Sequence, residues 1–432
     1  MCYTLLIIAC VVGWGGDGQA KDVGGRISEG PYRAWLDSPG GELPFGLEFM
    51  KDESGWRAWL LNGEERIEVP QVTVGPSKVV LMIPHYDSTI GAEVLDRGEQ
   101  LEGEWKKRGR NEKWTRMAFH AVAGKAERFA ECKLDGGGER ASGKAVGGRW
   151  AVKFAGDPDS AVGVFEGGDG TAAVVGTVLT STGDYRYLAG DFCGTEWTPG
   201  QYKGRLRLSA FDGAHAFLLK ATLSKGGALE GDFWSGDRYH DTWTAERDEN
   251  ATLPDGFTST RGVEGAKLSE VAFPDLDGKQ RTLADPAFAG KARIIEVFGS
   301  WCPNCNDASA YLVELDRKYR DRGLSIVGVA FELTGDFTRD AEQVRRFGAH
   351  HGIRYPLLLA GIAEKEKVSA ALPILDKFRA YPTTIILDGD GKIRAVHTGF
   401  SGPATGKEYD HLRAKFEALI EELLGGPKPA RP

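Results

Sequence analysis

The sequence predicts a two-part chain: an all-β barrel-like or sandwich region over residues 21–250, then an α/β domain over residues 266–425. Three observations predict it. Residues 21–250 alternate apolar and polar side chains in short runs broken by Gly, Asp and Pro, the pattern of strands joined by tight turns. Residues 251–265 are polar and hold Pro254, Gly256, Gly262 and Gly265, which reads as a linker. Beyond it, apolar runs alternate with helix-period segments, which implies parallel strands joined by right-handed crossovers.

Bulk composition agrees with two or three domains. The chain has 432 residues, 41% hydrophobic and 27% charged, enough to build sizeable cores. Its formal charge is −8, and no basic patch points to nucleic acid. The 59 glycines fall mostly in the first 250 residues, where they suit turns between strands.

The first twenty residues read as an export signal. Leu5 to Val12 is an apolar run too short to span a bilayer, and Gly18-Gln19-Ala20 offers small residues for cleavage. Met1 to Thr4 lacks the usual positive charge. Ile7-Ile-Ala-Cys10 resembles a lipobox, which would place a lipid anchor on Cys10. Soluble and anchored forms both stay open, as does an apolar N-terminus without an export role.

Within residues 21–250, Gly55-Trp-Arg-Ala-Trp-Leu-Leu61 precedes Asn62-Gly63, a hairpin signal. Arg66 to Val69, Lys78 to Ile83, Trp150 to Phe154, Ala172 to Val175, Tyr202 to Leu208 and Ala216 to Ala221 continue the series. A short repeat links the two halves. Leu101-Glu-Gly-Glu-Trp105 is followed by Trp114-Thr115, and Leu229-Glu-Gly-Asp-Phe233 by Trp243-Thr244. Two related β-units follow from it, as one large barrel or two small ones. Trp56, Trp59, Trp105, Trp114, Trp234 and Trp243 are expected in the core, with a ligand cavity as the alternative. His85, His120, His215 and His240 are dispersed and suggest no metal cluster. Asp157-Pro-Asp159 and Gly167-Gly-Asp-Gly170 read as turns rather than calcium loops, and Gly136-Gly-Gly138 lacks the Lys-Ser/Thr of a phosphate loop.

In the α/β domain, Ile294, Ile295, Val297 and Phe298 form a buried strand that ends at the Gly299-Ser300 turn. Pro303 suits the first turn of a helix whose apolar face carries Ala308, Leu312, Leu315 and Tyr319. Cys302 thus stands at a helix N-terminus, which favours a thiolate. It is the expected attacking thiol, and Cys305, one turn in, the resolving one. Half of a zinc site is the competing reading. It needs two further ligands, and His350-His351 offers no matching spacing. Leu324 to Ala330 reads as a second buried strand, Asp340 to His351 as a helix, Tyr355 to Leu359 as a short apolar run, Glu364 to Lys377 as a polar helical insert and Tyr409 to Leu424 as the closing helix. Residues 426–432 read as a disordered tail.

Trp301-Cys-Pro-Asn-Cys305 resembles the redox centre of the thioredoxin fold. Phe273-Pro-Asp-Leu-Asp-Gly-Lys279 resembles the opening of its TlpA/ResA-like branch, and Ala380-Tyr-Pro-Thr-Thr384 its cis-proline loop. The resemblance covers about residues 263–425. It implies an exported thiol–disulfide oxidoreductase without cofactor, acting on protein disulfides and recharged by a membrane thiol donor. It also implies roles: Glu296 as the buried acid beneath Cys305, Tyr381 and Pro382 in the substrate groove, and Trp301 as an aromatic wall. Pro303-Asn304 departs from the Gly-Pro pair of ordinary thioredoxin. Asn304 adds no charge to steady a thiolate, which favours a reductase. A peroxiredoxin-like peroxidase is one alternative, although Gly299 stands where its Thr-x-x-Cys would need threonine. A binding or scaffold protein acting through the β region is the other.

Of six cysteines, Cys2 and Cys10 lie in the signal and Cys302 and Cys305 form the centre. Cys132 and Cys193 remain, an even pair that suits a structural disulfide, or else two buried thiols. Non-reducing peptide mapping of residues 21–250 is expected to recover them as one cross-linked peptide; two alkylated peptides would reject the bridge.

Overall fold

A computed structural model describes residues 27–109, 113–124, 128–129, 142–198 and 201–426. The export segment with Cys10, Cys132, the Gly136-Gly-Gly138 loop and residues 427–432 lie outside the described residues.

The β region forms two sheets of nine strands each. In the first, an antiparallel meander runs from Gly30–Ser38 to Trp114–Ala123. Its first strand pairs with both the second and the ninth: Ala34 lies opposite Phe45 on one side and Ala121 on the other. The sheet curls back on itself, and its edges are the short strands Glu65–Glu68 and Gln71–Val74. The second meander runs from Gly148–Phe154 to Tyr239–Arg247, which pair with each other. Ala161–Gly167 also pairs with Ala173–Thr180, so eight strands close into a barrel without free edges. The ninth, Gly183–Asp184, is a two-residue return of the hairpin beyond Thr180.

The two sheets share a core. Phe45 packs on Phe211 with ring centroids 4.6 Å apart. The buried Asn62 amide completes the junction: its Nδ2 donates to the Phe211 carbonyl at 2.9 Å, and its Oδ1 accepts from the Phe211 N–H at 3.0 Å. The sequence repeat is a structural one. Both copies lie on the penultimate strand of their sheet, with Trp105 and Phe233 buried. Gly103 and Gly231 press on the backbone of the preceding strand: a Cβ would collide with the carbonyl of Gly91 or Lys220. Trp105 and Trp243 belong to the cores, whereas cations cover the outer aromatics: Arg66 over Trp59 at 4.2 Å and Arg108 over Trp114 at 4.6 Å. These side chains pack in the cores or under cations.

Residues 251–265 are anchored to the C-terminal domain. The N–H of Val263 donates to Ile374 O at 2.8 Å, and the Thr398 hydroxyl donates to Thr260 at 2.9 Å. The domain itself has the thioredoxin arrangement, a five-stranded mixed sheet with strand Ala292–Phe298 at its centre. That strand runs parallel to Leu324–Glu332, which runs parallel to Leu357–Ile362. On its other side lie antiparallel Thr383–Asp388 and Ile393–Thr398. Helices α1 (Pro303–Tyr319) and α2 (Phe337–His351) make the two successive crossovers. Because both connections wind the same way, right-handedness puts both helices on one face. Helix α3 (Lys365–Ala371) covers the other face through Val368, and α4 (Lys407–Leu423) packs beside α1 through Phe416. Ile295 and Val297 therefore point toward the α3 side, and Ile294, Glu296 and Phe298 toward α1 and α2.

Gly231→Val should cost about 1–3 kcal/mol by overpacking against the neighbouring backbone. Glu230→Val, on the outer face, should stay within about 0.5 kcal/mol. Urea unfolding midpoints of the two variants check the difference.

Candidate active site

The turn after the central strand positions the thiols. Cys302 is the N-cap of α1, and Pro303 occupies the first helical position, where no N–H is needed. The Cys302 carbonyl accepts the N–H groups of Cys305 at 3.0 Å and Asn306 at 3.2 Å, so the helix begins at the cysteine itself. Both thiols are free; Cys302 is 7% exposed and Cys305 fully buried. Burial, reinforced by the neighbouring Cys302, pushes the Cys305 thiol well up. Such a thiol needs a base before it can attack.

The structure brings the expected groove residues to this pair. The Tyr381–Pro382 peptide bond is cis, and the Tyr381 carbonyl lies 4.0 Å from Cys302 Sγ. Trp301 meets Tyr381 edge-on with centroids 5.2 Å apart, and its Nε1 donates to Phe331 O at 3.0 Å. Glu296 is completely buried under α1. Its carboxylate accepts a hydrogen bond from Ser309 Oγ at 3.2 Å, one turn beyond Cys305, rather than from Cys305 itself. Burial pushes its pKa up to about 8, against the Ser309 hydrogen bond. The Tyr355 hydroxyl is buried beside this pair without a well-formed hydrogen bond.

A second buried acid escaped the sequence reading. Glu332 closes the strand whose sequence-based limit was Ala330. It accepts the Ser300 N–H at 2.8 Å and the Ser300 hydroxyl at 2.9 Å, which pins the turn that presents Cys302. Burial likewise pushes it up to about 8. Its only signal in the sequence is an acid at the end of an otherwise apolar strand.

Residues 263–412 match the Redoxin family model. The C-terminal part of this chain is a Redoxin domain. It is similar to the thiol-disulfide oxidoreductase ResA of Bacillus thuringiensis subsp. konkukian, 29% identical over 138 residues, which are 32% of this chain and 71% of the relative. The thioredoxin-like protein YneN of Bacillus subtilis is 27% identical over 136 residues, 32% of this chain and 72% of its own length. Among solved structures, a putative thiol:disulfide interchange protein DsbE of Chlorobium tepidum is 20% identical with a TM-score of 0.28, covering 36% of this chain and 92% of its own. These similarities are consistent with the TlpA/ResA-like resemblance of the Redoxin domain's motifs.

The β region meets the Redoxin domain at the thiols, which the sequence did not indicate. The buried Tyr86 and the partly buried Lys107 of the first β-unit lie close enough to Cys302 to interact with it electrostatically. His85, dispersed in sequence, stacks on His350 with centroids 3.7 Å apart, and His351 bonds Asn306 at 2.8 Å. Among the described residues these groups form no metal-binding cluster. Cys193 lies in strand Leu188–Thr198 and is disulfide-bonded. Its expected partner, Cys132, lies outside the described residues.

A buried carboxyl with a raised pKa binds a proton that the unfolded chain releases near 4.5. The native state then holds the extra proton between pH 4.5 and about 8, so the stabilisation it provides falls as pH rises through that window. Glu296→Gln should flatten part of this decline, Glu332 keeping its own share. Denaturant midpoints at intervals across the window, wild type against variant, measure it; parallel curves would mean that Glu296 is ionised in the native protein.

Proposed function

We propose that the chain is an exported reductase of protein disulfides working through Cys302 and Cys305. The Redoxin domain is a thiol–disulfide oxidoreductase unit, and the observation that carries the finer reading is the pairing of an N-cap thiol with a buried second thiol above a protonatable acid. Cys302 thiolate attacks a substrate disulfide; that S–S bond breaks, a mixed disulfide forms and one substrate thiolate leaves. Cys305 gives up its proton toward the ionised fraction of Glu296, with Ser309 on the path, and attacks Cys302 Sγ. The second substrate thiolate leaves, and two electrons have passed from the protein, which is left with a Cys302–Cys305 disulfide. A dithiol donor at the membrane returns the pair to the free state. Trp301, Tyr381 and Pro382 hold the substrate chain beside Cys302.

Export is supported by the apolar N-terminal segment, with the lipid anchor at Cys10 as one form of it. A Cys132–Cys193 bridge fits the same oxidising setting. No helix among the described residues is long and apolar enough to cross a membrane.

Cys302→Ser should abolish turnover of a protein disulfide such as that of insulin. Cys305→Ser should instead accumulate the mixed disulfide, visible by intact mass. The wild-type potential, read against a glutathione buffer series, should lie toward the reducing end of the roughly −270 to −120 mV range of such centres. Peroxide consumption without protein-disulfide exchange would turn the assignment to a peroxidase. A biological effect that survives loss of both thiols would turn it to the β region.

A further inference from the structure

The β region surrounds the thiol pair from several sides. The turn at Ser181-Thr182 carries Gly183 onto Asn304, between the two cysteines: a Cβ on Gly183 would collide with the Asn304 amide. Thr182 fills the space beside Gly399, where a Cβ would come within 2.8 Å of its backbone. Gly399 in turn donates its N–H to Pro382 O at 2.8 Å, so this contact reaches the cis-proline loop. The buried Asp184 carboxylate accepts the Gly402 N–H at 2.7 Å. Arg186 forms an ion pair with Asp307, two residues beyond Cys305. On the rim, Asp159 pairs with Arg379 at 3.3 Å and accepts the Ser181 hydroxyl at 2.8 Å. Across the opening, Asp87 pairs with Arg339, and Gln343 Nε2 donates to the His85 carbonyl at 2.8 Å. These contacts touch the Cys-x-x-Cys turn, α1, α2, the cis-proline loop and the loop after the last strand.

We propose that the β region is a built-in cover that sets the size of the disulfide partner, with the Thr180–Asp184 hairpin as its plug. In the closed form a small thiol reagent reaches Cys302 but a folded protein does not. A protein disulfide reacts only through the fraction of molecules in which the hairpin has left Asn304 and Gly399. Gly183 is the specificity-determining position because any side chain there would have to displace the Asn304 amide for the hairpin to seat. The ion pairs of Arg186 and Asp159 hold the hairpin in place. Interfaces of this kind open locally because their free energy is a fraction of the whole.

The proposal rests on the reading that Cys302 engages protein disulfides, so its test is alkylation, which needs no turnover. Full-length protein, reduced, is treated with N-ethylmaleimide and with a polyethylene-glycol maleimide of protein size, and labelling of Cys302 is followed by peptide mass. The ratio of the two rates is compared with the ratio on an unstructured cysteine peptide. Wild type should discriminate against the large reagent by more than about tenfold beyond the peptide, since the rate scales with the open fraction. Gly183→Val and Asp159→Lys should each bring the ratio toward the peptide value. Where Gly183→Val loses its circular dichroism spectrum, Asp159→Lys, which changes an exposed pair, decides. A wild-type ratio equal to that of the peptide overturns the cover, and so does a ratio that folded variants leave unchanged. Loss of protein-disulfide turnover with size discrimination intact would count against the reductase reading alone.

Discussion

The arrangement depends on one guanidinium. Arg186, on the loop after the Gly183–Asp184 return, lies 2.9 Å from Glu65 of the first sheet and 3.3 Å from Asp212 of the second, and also pairs with Asp307 of α1. One cation thus serves three carboxylates from three parts of the chain, all withdrawn from water. Burial pushes Asp307 up to about 7, against the pull of Arg186. Removing the cation would leave buried charges unpaired, the situation that costs about 3–5 kcal/mol in comparable sites. Arg186 also sits at φ 62°, a left-handed conformation that non-glycine residues rarely adopt. The surrounding contacts hold the backbone there so that the side chain can reach all three acids.

The thiol centre relies on the same physics with the opposite outcome. Glu296 is buried with no cation among the groups that shift it, and burial of Glu332 outweighs the pull of Arg339, so low polarity favours both protonated forms near neutrality. Their positions divide the work. Glu332 bonds Ser300 and fixes the turn in front of Cys302, while Glu296 lies under the helix behind Cys305. An acid that changes protonation near neutral pH can accept the proton of a thiol held neutral by burial, which an ordinary solvated carboxylate cannot retain.

The Redoxin family model covers residues 263–412, so the structure itself must account for the β region. Its strands close into barrel-like units, many of its aromatics pack in the cores, and Arg186 carries a buried charge to Asp307 beside the thiols. A unit built only as a spacer would not need buried charges at that interface. The chemistry and the access to it are thus encoded in different halves of the chain.

Much of the centre was legible locally. Alternation along Ala292–Phe298 put Glu296 on the side of α1, the Pro303 signal put Cys302 at the helix start, and the Leu-Glu-Gly repeat marked two related β-units. These follow from strand period, helix capping and close backbone packing, each decided within a few residues. The partners of Arg186 were not legible, because Glu65 and Asp307 each lie 121 residues away along the chain. Nor was the stacking of His85 on His350, or the seating of Gly183 on Asn304. No periodicity relates such residues. The sequence by itself determined the placement of the cysteine pair, its helix and the strand beneath it, since those depend on neighbours in the chain. Only the tertiary structure decided that the pair is enclosed, because burial of a charge or a thiol is a property of everything that surrounds it.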